Sequence, residues 1–110
     1  MKSYTDIEQS RELEKILPLE SADLYYYKYG LPHFIEGQGD YESIRTDKYH
    51  DYIPCWSLAA LLNVLPSSTL DSSDNHRYRF RCMERYTEWY DNAIDACVAM
   101  IERLHELKML

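Results

Sequence analysis

The C-terminal stretch of the chain constrains its fold most. Asn92 stands where a helix cap would, Asp95 follows at the third helical position, and Ile94, Cys97, Val98, Ile101, Leu104 and Leu107 recur at the spacing of one helical face. A helix with one apolar face must bury it, so the rest of the chain has to supply a surface. Two further segments have the same character. Thr5-Asp6-Ile7-Glu8 has capping-box spacing and predicts a helix start, with Ile7, Leu13, Ile16 and Leu17 forming a narrow apolar face before Pro18. Residues 53–65 predict a second helix, with Pro54 suited to its first turn or Ser57 to its cap, and Pro66 closing it. Leu58, Leu61, Leu62 and Leu65 make that helix the expected centre of the core.

Between the helical patterns lie strand patterns. Residues 22–29 place Tyr25, Tyr27 and Tyr29 on one side and Leu24 and Tyr26 on the other, as in a strand covered partly on both faces. Tyr78, Phe80 and Cys82 alternate with Arg77, Arg79 and Arg81, and residues 86–90 read as the hairpin partner. The expectation is an α+β fold: a three- to four-stranded, mainly antiparallel sheet packed with three helices, in the order α-β-loop-α-β-β-α. Residues 1–110 fit a single domain, with a long loop over 30–51 and a polar connection over 66–75. The loop holds all three glycines and Pro32, has room for a small hairpin, and is of a length that goes with function or mobility.

Nineteen acidic against twelve basic residues give a net charge of -7, which works against generic binding to phosphate backbones or anionic lipid. The longest uninterrupted apolar run, residues 58–62, is far too short for a membrane span, and a cytoplasmic protein is expected. Cys55, Cys82 and Cys97 are odd in number and widely spaced, so buried, reduced thiols are expected rather than a disulfide framework or a zinc site. No cofactor or metal is implied. Gly37-Gln38-Gly39 continues as Asp40-Tyr41-Glu42, which makes no phosphate cradle; His105-Glu106 is followed by Met109 where a zincin needs its second histidine. Glu102-Arg103-Leu104-His105 has the spacing of a di-iron bundle ligand pair, but no second copy occurs in the chain.

Three groups of residues have chemistry to offer. Arg77, Arg79, Arg81 and Arg85 concentrate four of the twelve basic residues in nine positions, interleaved with Tyr78, Phe80 and Tyr86. Such a strand face can meet phosphates and stack on bases, meet an acidic protein surface, or pair with the chain's own acids and blunt a sheet edge. Cys55, expected beside a helix N-terminus and a few residues after His50-Asp51, has the setting of a nucleophile, although a cysteine between a proline and a tryptophan also reads as core. Tyr25, Tyr26, Tyr27 and Tyr29, with Trp56 and Trp89, form either an aromatic recognition surface or sheet core; the chain has eleven tyrosines in all.

Residues 5–26, 53–66 and 92–110 together resemble a family of small uncharacterised proteins of Bacteroidales bacteria and their phages and mobile elements. The resemblance covers roughly half the chain, assigns no reaction, ligand or catalytic residue, and implies a cytoplasmic, phage-related protein. The function expected first is that of a noncatalytic accessory domain that contacts a protein partner or a second copy of itself through the arginine strand or the loop over 30–51. A thiol-dependent enzyme centred on Cys55 with His50, and nucleic-acid binding through residues 77–85, are the alternatives.

Overall fold

The structure, a computed structural model, describes residues 2–66, 68–82 and 84–110. It is an α+β fold with two small antiparallel sheets of three strands each, where one sheet was expected. In chain order the elements are α1 (Ile7–Glu14), a 3-10 turn (Leu19–Ser21), β1 (Leu24–Tyr27), β2 (His33–Phe34), α2 (Gln38–Arg45) and β3 (Tyr52–Cys55). They continue as α3 (Leu58–Val64), β4 (Ser68–Ser72), β5 (Tyr78–Cys82), β6 (Arg85–Tyr86) and α4 (Ala93–Glu106).

The first helix starts one residue later than the Thr5 cap predicts. Asp6 is the N-cap: its carboxylate accepts from the Gln9 amide at 2.7 Å, and the Gln9 side chain accepts from the Asp6 amide at 3.2 Å. Thr5 is unavailable as a cap because it is fully buried, with its hydroxyl 2.8 Å from that of Ser10. The other two helices of the core begin on Ser57, whose hydroxyl accepts from Ala60, and on Asn92, whose side chain accepts from the Asp95 amide at 2.8 Å.

The main correction falls on residues 52–55. Ile53, Pro54 and Cys55 are not the first turn of a helix but the outer strand of the first sheet, β2-β1-β3, with Leu24 opposite Cys55, Tyr25 opposite Pro54 and Tyr26 opposite Ile53. The Lys28 amide donates to Asp51 at 2.9 Å. Counting back by the alternation of an antiparallel ladder, Tyr26 and Leu24 also bond toward β3, and Pro54, opposite Tyr25, points outward. A proline there costs no ladder bond, which is why the strand tolerates it. Leu24, Tyr26, Ile53 and Cys55 face inward and form a small core with Tyr4 and Ile7.

The region 30–51 is built rather than looped, since it contains β2, paired Phe34 to Leu24 and His33 to Tyr25, and α2. The Tyr41 hydroxyl donates to the Ala22 carbonyl at 2.9 Å and ties α2 down. Residues 66–75, expected as a polar connection, contain β4, paired along its length with β5; Ser67 of that stretch lies outside the described residues. β4 is polar because it borders its sheet and lies against β5 alone on the hydrogen-bonded side.

The second sheet, β4-β5-β6, packs Phe80 and Cys82 against α4. The main core joins Leu13 and Leu17 of the first helix region, Trp56, Leu61 and Leu65, and Ile94, Cys97, Met100, Ile101 and Leu104 of α4. The leucine helix is thus central as expected, except that Leu62 is 40% exposed. Trp56 is fully buried and its indole N-H donates to the Ser21 hydroxyl at 2.9 Å, which assigns it to packing and not to recognition.

Candidate functional site

The expected arginine cluster divides in two. On β5, Phe80 and Cys82 point into the core, so Arg79 and Arg81 point outward with Arg77 preceding them. Arg85 pairs with Cys82 across the β5–β6 hairpin and therefore shares the α4 side of the sheet, away from Arg79 and Arg81. The outer face holds Arg79, Arg81, Asp71, Thr69 and Tyr86, because Asp71 is opposite Arg79 and both Thr69 and Tyr86 are opposite Arg81.

Trp89 joins that face through an irregularity. Arg81 pairs with Tyr86 and Tyr78 with Tyr90, so the three residues 87–89 stand opposite the two residues 79–80. This is a β-bulge, which twists a strand locally and re-aims its side chains. Buried Thr87 anchors it: its hydroxyl accepts from the Phe80 amide at 2.8 Å and its amide donates to the Phe80 carbonyl at 2.9 Å. Trp89 is thereby brought over Arg79, whose guanidinium carbon lies 4.7 Å from the Trp89 ring and 4.5 Å from the Tyr86 ring. Arg79 also reaches Asp71 at 3.3 Å, and Arg77 donates to the Trp89 carbonyl at 2.8 Å and lies 3.7 Å from Asp91. Arg81 is exposed and makes no ion pair among the described residues. The sequence displayed the arginines; the bulge that adds Trp89 has no signature in one sequence beyond the polar run Thr87-Glu88.

Cys55 is fully buried, and its thiol donates to the Thr5 carbonyl at 3.4 Å rather than engaging His50, which is exposed. Burial raises its pKa, and Cys97 is pushed up to about 12 by the same cause. Cys55 ends β3, two residues before the Ser57 cap of α3, and its thiol is engaged by the buried Thr5.

The aromatic run of β1 is used in a cross-strand ladder. His33 stacks on Tyr25 at 5.4 Å, Tyr25 meets Tyr52 at 5.7 Å, and Tyr52 stacks on Tyr27 at 4.8 Å. Rings that face one another stabilise a sheet of short strands. Tyr29 lies beyond the strand in a left-handed conformation (φ 70°) and stays exposed.

A groove of about 420 Å³ between α1 and α4 is lined by Asp6, Glu8, Glu12, Asp95 and Glu102, with Lys2 as the only cation among the described residues there. Burial and the neighbouring Glu12 and Glu106 raise the pKa of Glu102. Among the described residues no group of three or more histidine, cysteine, aspartate or glutamate side chains is placed to hold a metal ion, and no helix is long and apolar enough to cross a membrane. Comparison with known protein families, curated proteins and solved structures finds no match to this chain.

Proposed function

We propose that this chain is a noncatalytic protein-interaction domain whose contact surface is the outer face of the second sheet. The observation that carries this reading is the layering of Tyr86, Arg79 and Trp89, with Tyr86 still 43% and Trp89 36% exposed. Tryptophan, tyrosine and arginine are the residue types that dominate binding hot spots, because they bury large rigid surfaces around a fixed cation. Asp71 holds Arg79 in place before any partner arrives, which lowers the cost of ordering it.

The alternatives have less support. A thiol enzyme needs an accessible, acidified thiol, whereas Cys55 is buried with its pKa raised. Nucleic-acid binding needs several free cations, whereas on this face Arg81 alone is unpaired among the described residues, and Arg77 and Arg79 face Asp91 and Asp71 in a chain of net charge -7. A cytoplasmic setting belongs to the same proposal, supported by three free, buried cysteines, and so does an accessory role in a phage or mobile element, supported by the resemblance alone.

The test is a photo-crosslinking residue at position 81, with the same residue at position 108 as control. A discrete adduct from position 81 that disappears in Trp89→Ala, and is not formed from position 108, is expected. Solution mass by light scattering then separates self-association from an outside partner. Equal, diffuse labelling from both positions would remove the proposal.

A further inference from the structure

A second group of chemistry-bearing residues lies at the first sheet. Where β1 ends and β3 begins, a cavity of about 200 Å³ is lined by Arg11, Lys28, Tyr29, Tyr49, His50 and Asp51. The basic side chains come from three separate places: Arg11 from α1, Lys28 from the end of β1 and His50 from the approach to β3. A cavity of about 390 Å³ shares Arg11 and His50 with it and is lined further by Glu12, Glu14 and Lys15, which suits an uncharged continuation of a ligand rather than a second anionic group.

Two features come together at this cavity. Arg11 and Lys28, like Lys48, Arg81, Arg85, Arg103 and Lys108, have no carboxylate partner among the described residues, and here two such cations line one cavity. Arg11 is instead held by the Tyr29 hydroxyl at 3.3 Å, which leaves most of its five donors unused, and Lys28 lies 5.4 Å from the Tyr27 ring. The backbone is also specialised. Lys28 (φ 51°), Tyr29 (φ 70°) and His50 (φ 57°) occupy the left-handed region, where non-glycine side chains are disfavoured, and the Lys28 amide bonds the Asp51 carbonyl at 2.9 Å to lock the two turns together. Three of the six non-glycine residues with positive φ among the described residues line this one cavity.

We infer that this cavity binds a phosphate monoester of a hydroxylated carbon skeleton. Arg11, Lys28 and His50 supply donors to the phosphate oxygens, with arginine matched to two oxygens at once. Asp51 would repel a bare anion at the same wall, and instead accepts from a hydroxyl of the carbon skeleton. Tyr29 and Tyr49, 60% and 83% exposed at the rim, offer ring faces to whatever extends outward.

The experiment is calorimetric titration of the full chain with ribose 5-phosphate, adenosine monophosphate, inorganic phosphate and unphosphorylated ribose. Saturable binding of the monoesters is expected, with ribose silent and inorganic phosphate weaker. Affinity should fall about tenfold in Arg11→Gln and again in Lys28→Gln, each removing a charge-assisted contact. Lys108→Gln, which removes a charge elsewhere, should leave it unchanged. Tighter binding of the nucleotide than of the sugar phosphate identifies the rings as a base platform; equal binding identifies the sugar phosphate itself as what is recognised. Unmelted variants that bind as the parent does, an equal loss in Lys108→Gln, or heats that never saturate would overturn the inference.

Discussion

Thr5 and Trp56 hold each other by a reciprocal pair of hydrogen bonds, the Thr5 amide donating to the Trp56 carbonyl at 2.9 Å and the Trp56 amide donating to the Thr5 hydroxyl at 3.2 Å. The Tyr26 hydroxyl donates to the Thr5 carbonyl at 2.7 Å, so one threonine joins the N-terminal segment to β1 and to the strand-to-helix junction. Thr5→Val keeps the shape and leaves a buried amide unsatisfied, at an expected cost of about 1 to 3 kcal/mol in urea unfolding. Thr5→Ser should recover most of it. A valine variant within about 0.5 kcal/mol of the parent would refute the role.

Half-buried Arg79 and exposed Arg81 should behave differently. Trp89→Ala removes one layer from Arg79 and should destabilise the fold by about 1 kcal/mol, the scale of a partly exposed cation–π contact plus lost burial. Arg81→Glu should change stability by less than about 0.5 kcal/mol, since the side chain is exposed. Thermal melts of both variants decide it; an Arg81→Glu loss as large as that of Trp89→Ala would show that Arg81 is structural.

Lys2 bridges Asp6 at 3.0 Å and Asp95 at 2.9 Å, and Asp95 also accepts from Gln9 at 2.8 Å. Burial works against the charge on both groups, but these hydrogen bonds outweigh it, lowering Asp95 below its ordinary 3.8 and raising Lys2 above its ordinary 10.5. For a depressed carboxyl the stabilisation is complete above the unfolded pKa and is lost as pH falls through the folded one. Asp95→Asn should therefore cost about 1 to 2 kcal/mol at neutral pH, with the gap to the parent closing only below pH 3.8. Lys2→Met should show the mirror image, its deficit constant at neutral pH and closing as pH rises through the folded Lys2 value above 10.5. Urea titrations across pH would contradict this if the Asn gap were unchanged in acid.

All three cysteines are buried. An aromatic disulfide reagent at pH 8 should label none of them quickly in the folded protein and all three in denaturant, with native labelling limited by opening of the structure. Immediate labelling of Cys55 would revive a thiol-based activity.

The fold class was legible in the sequence because helix-period and strand-period patterns were strong in the same places that now form α1, α4, β1 and β5. What misled was local. Residues 53–65 read as one helix because Pro54 suits a first turn, whereas the pairing of Cys55 with Leu24 and Ile53 with Tyr26 is a long-range contact that no spacing records. β4 was hidden for the reason that edge strands are polar, so Ser, Thr and Asp there resembled a connection. α2 was hidden by Gly37 and Gly39, which mimic a loop although Gly39 lies inside the helix. Of the candidate site, the arginines were visible; their division between two faces and the arrival of Trp89 depend on register and on a bulge.

β3 borders the first sheet, yet its outward side offers no donor to a newcomer. Pro54 has no N-H, the Tyr52 amide is taken by the Asp47 carboxylate at 2.8 Å, and the Trp56 amide is taken by Thr5. Three consecutive outward positions are closed by three different devices, so another chain cannot template on this border, and fibrillar growth from the tyrosine-rich sheet is blocked on the side where it is longest.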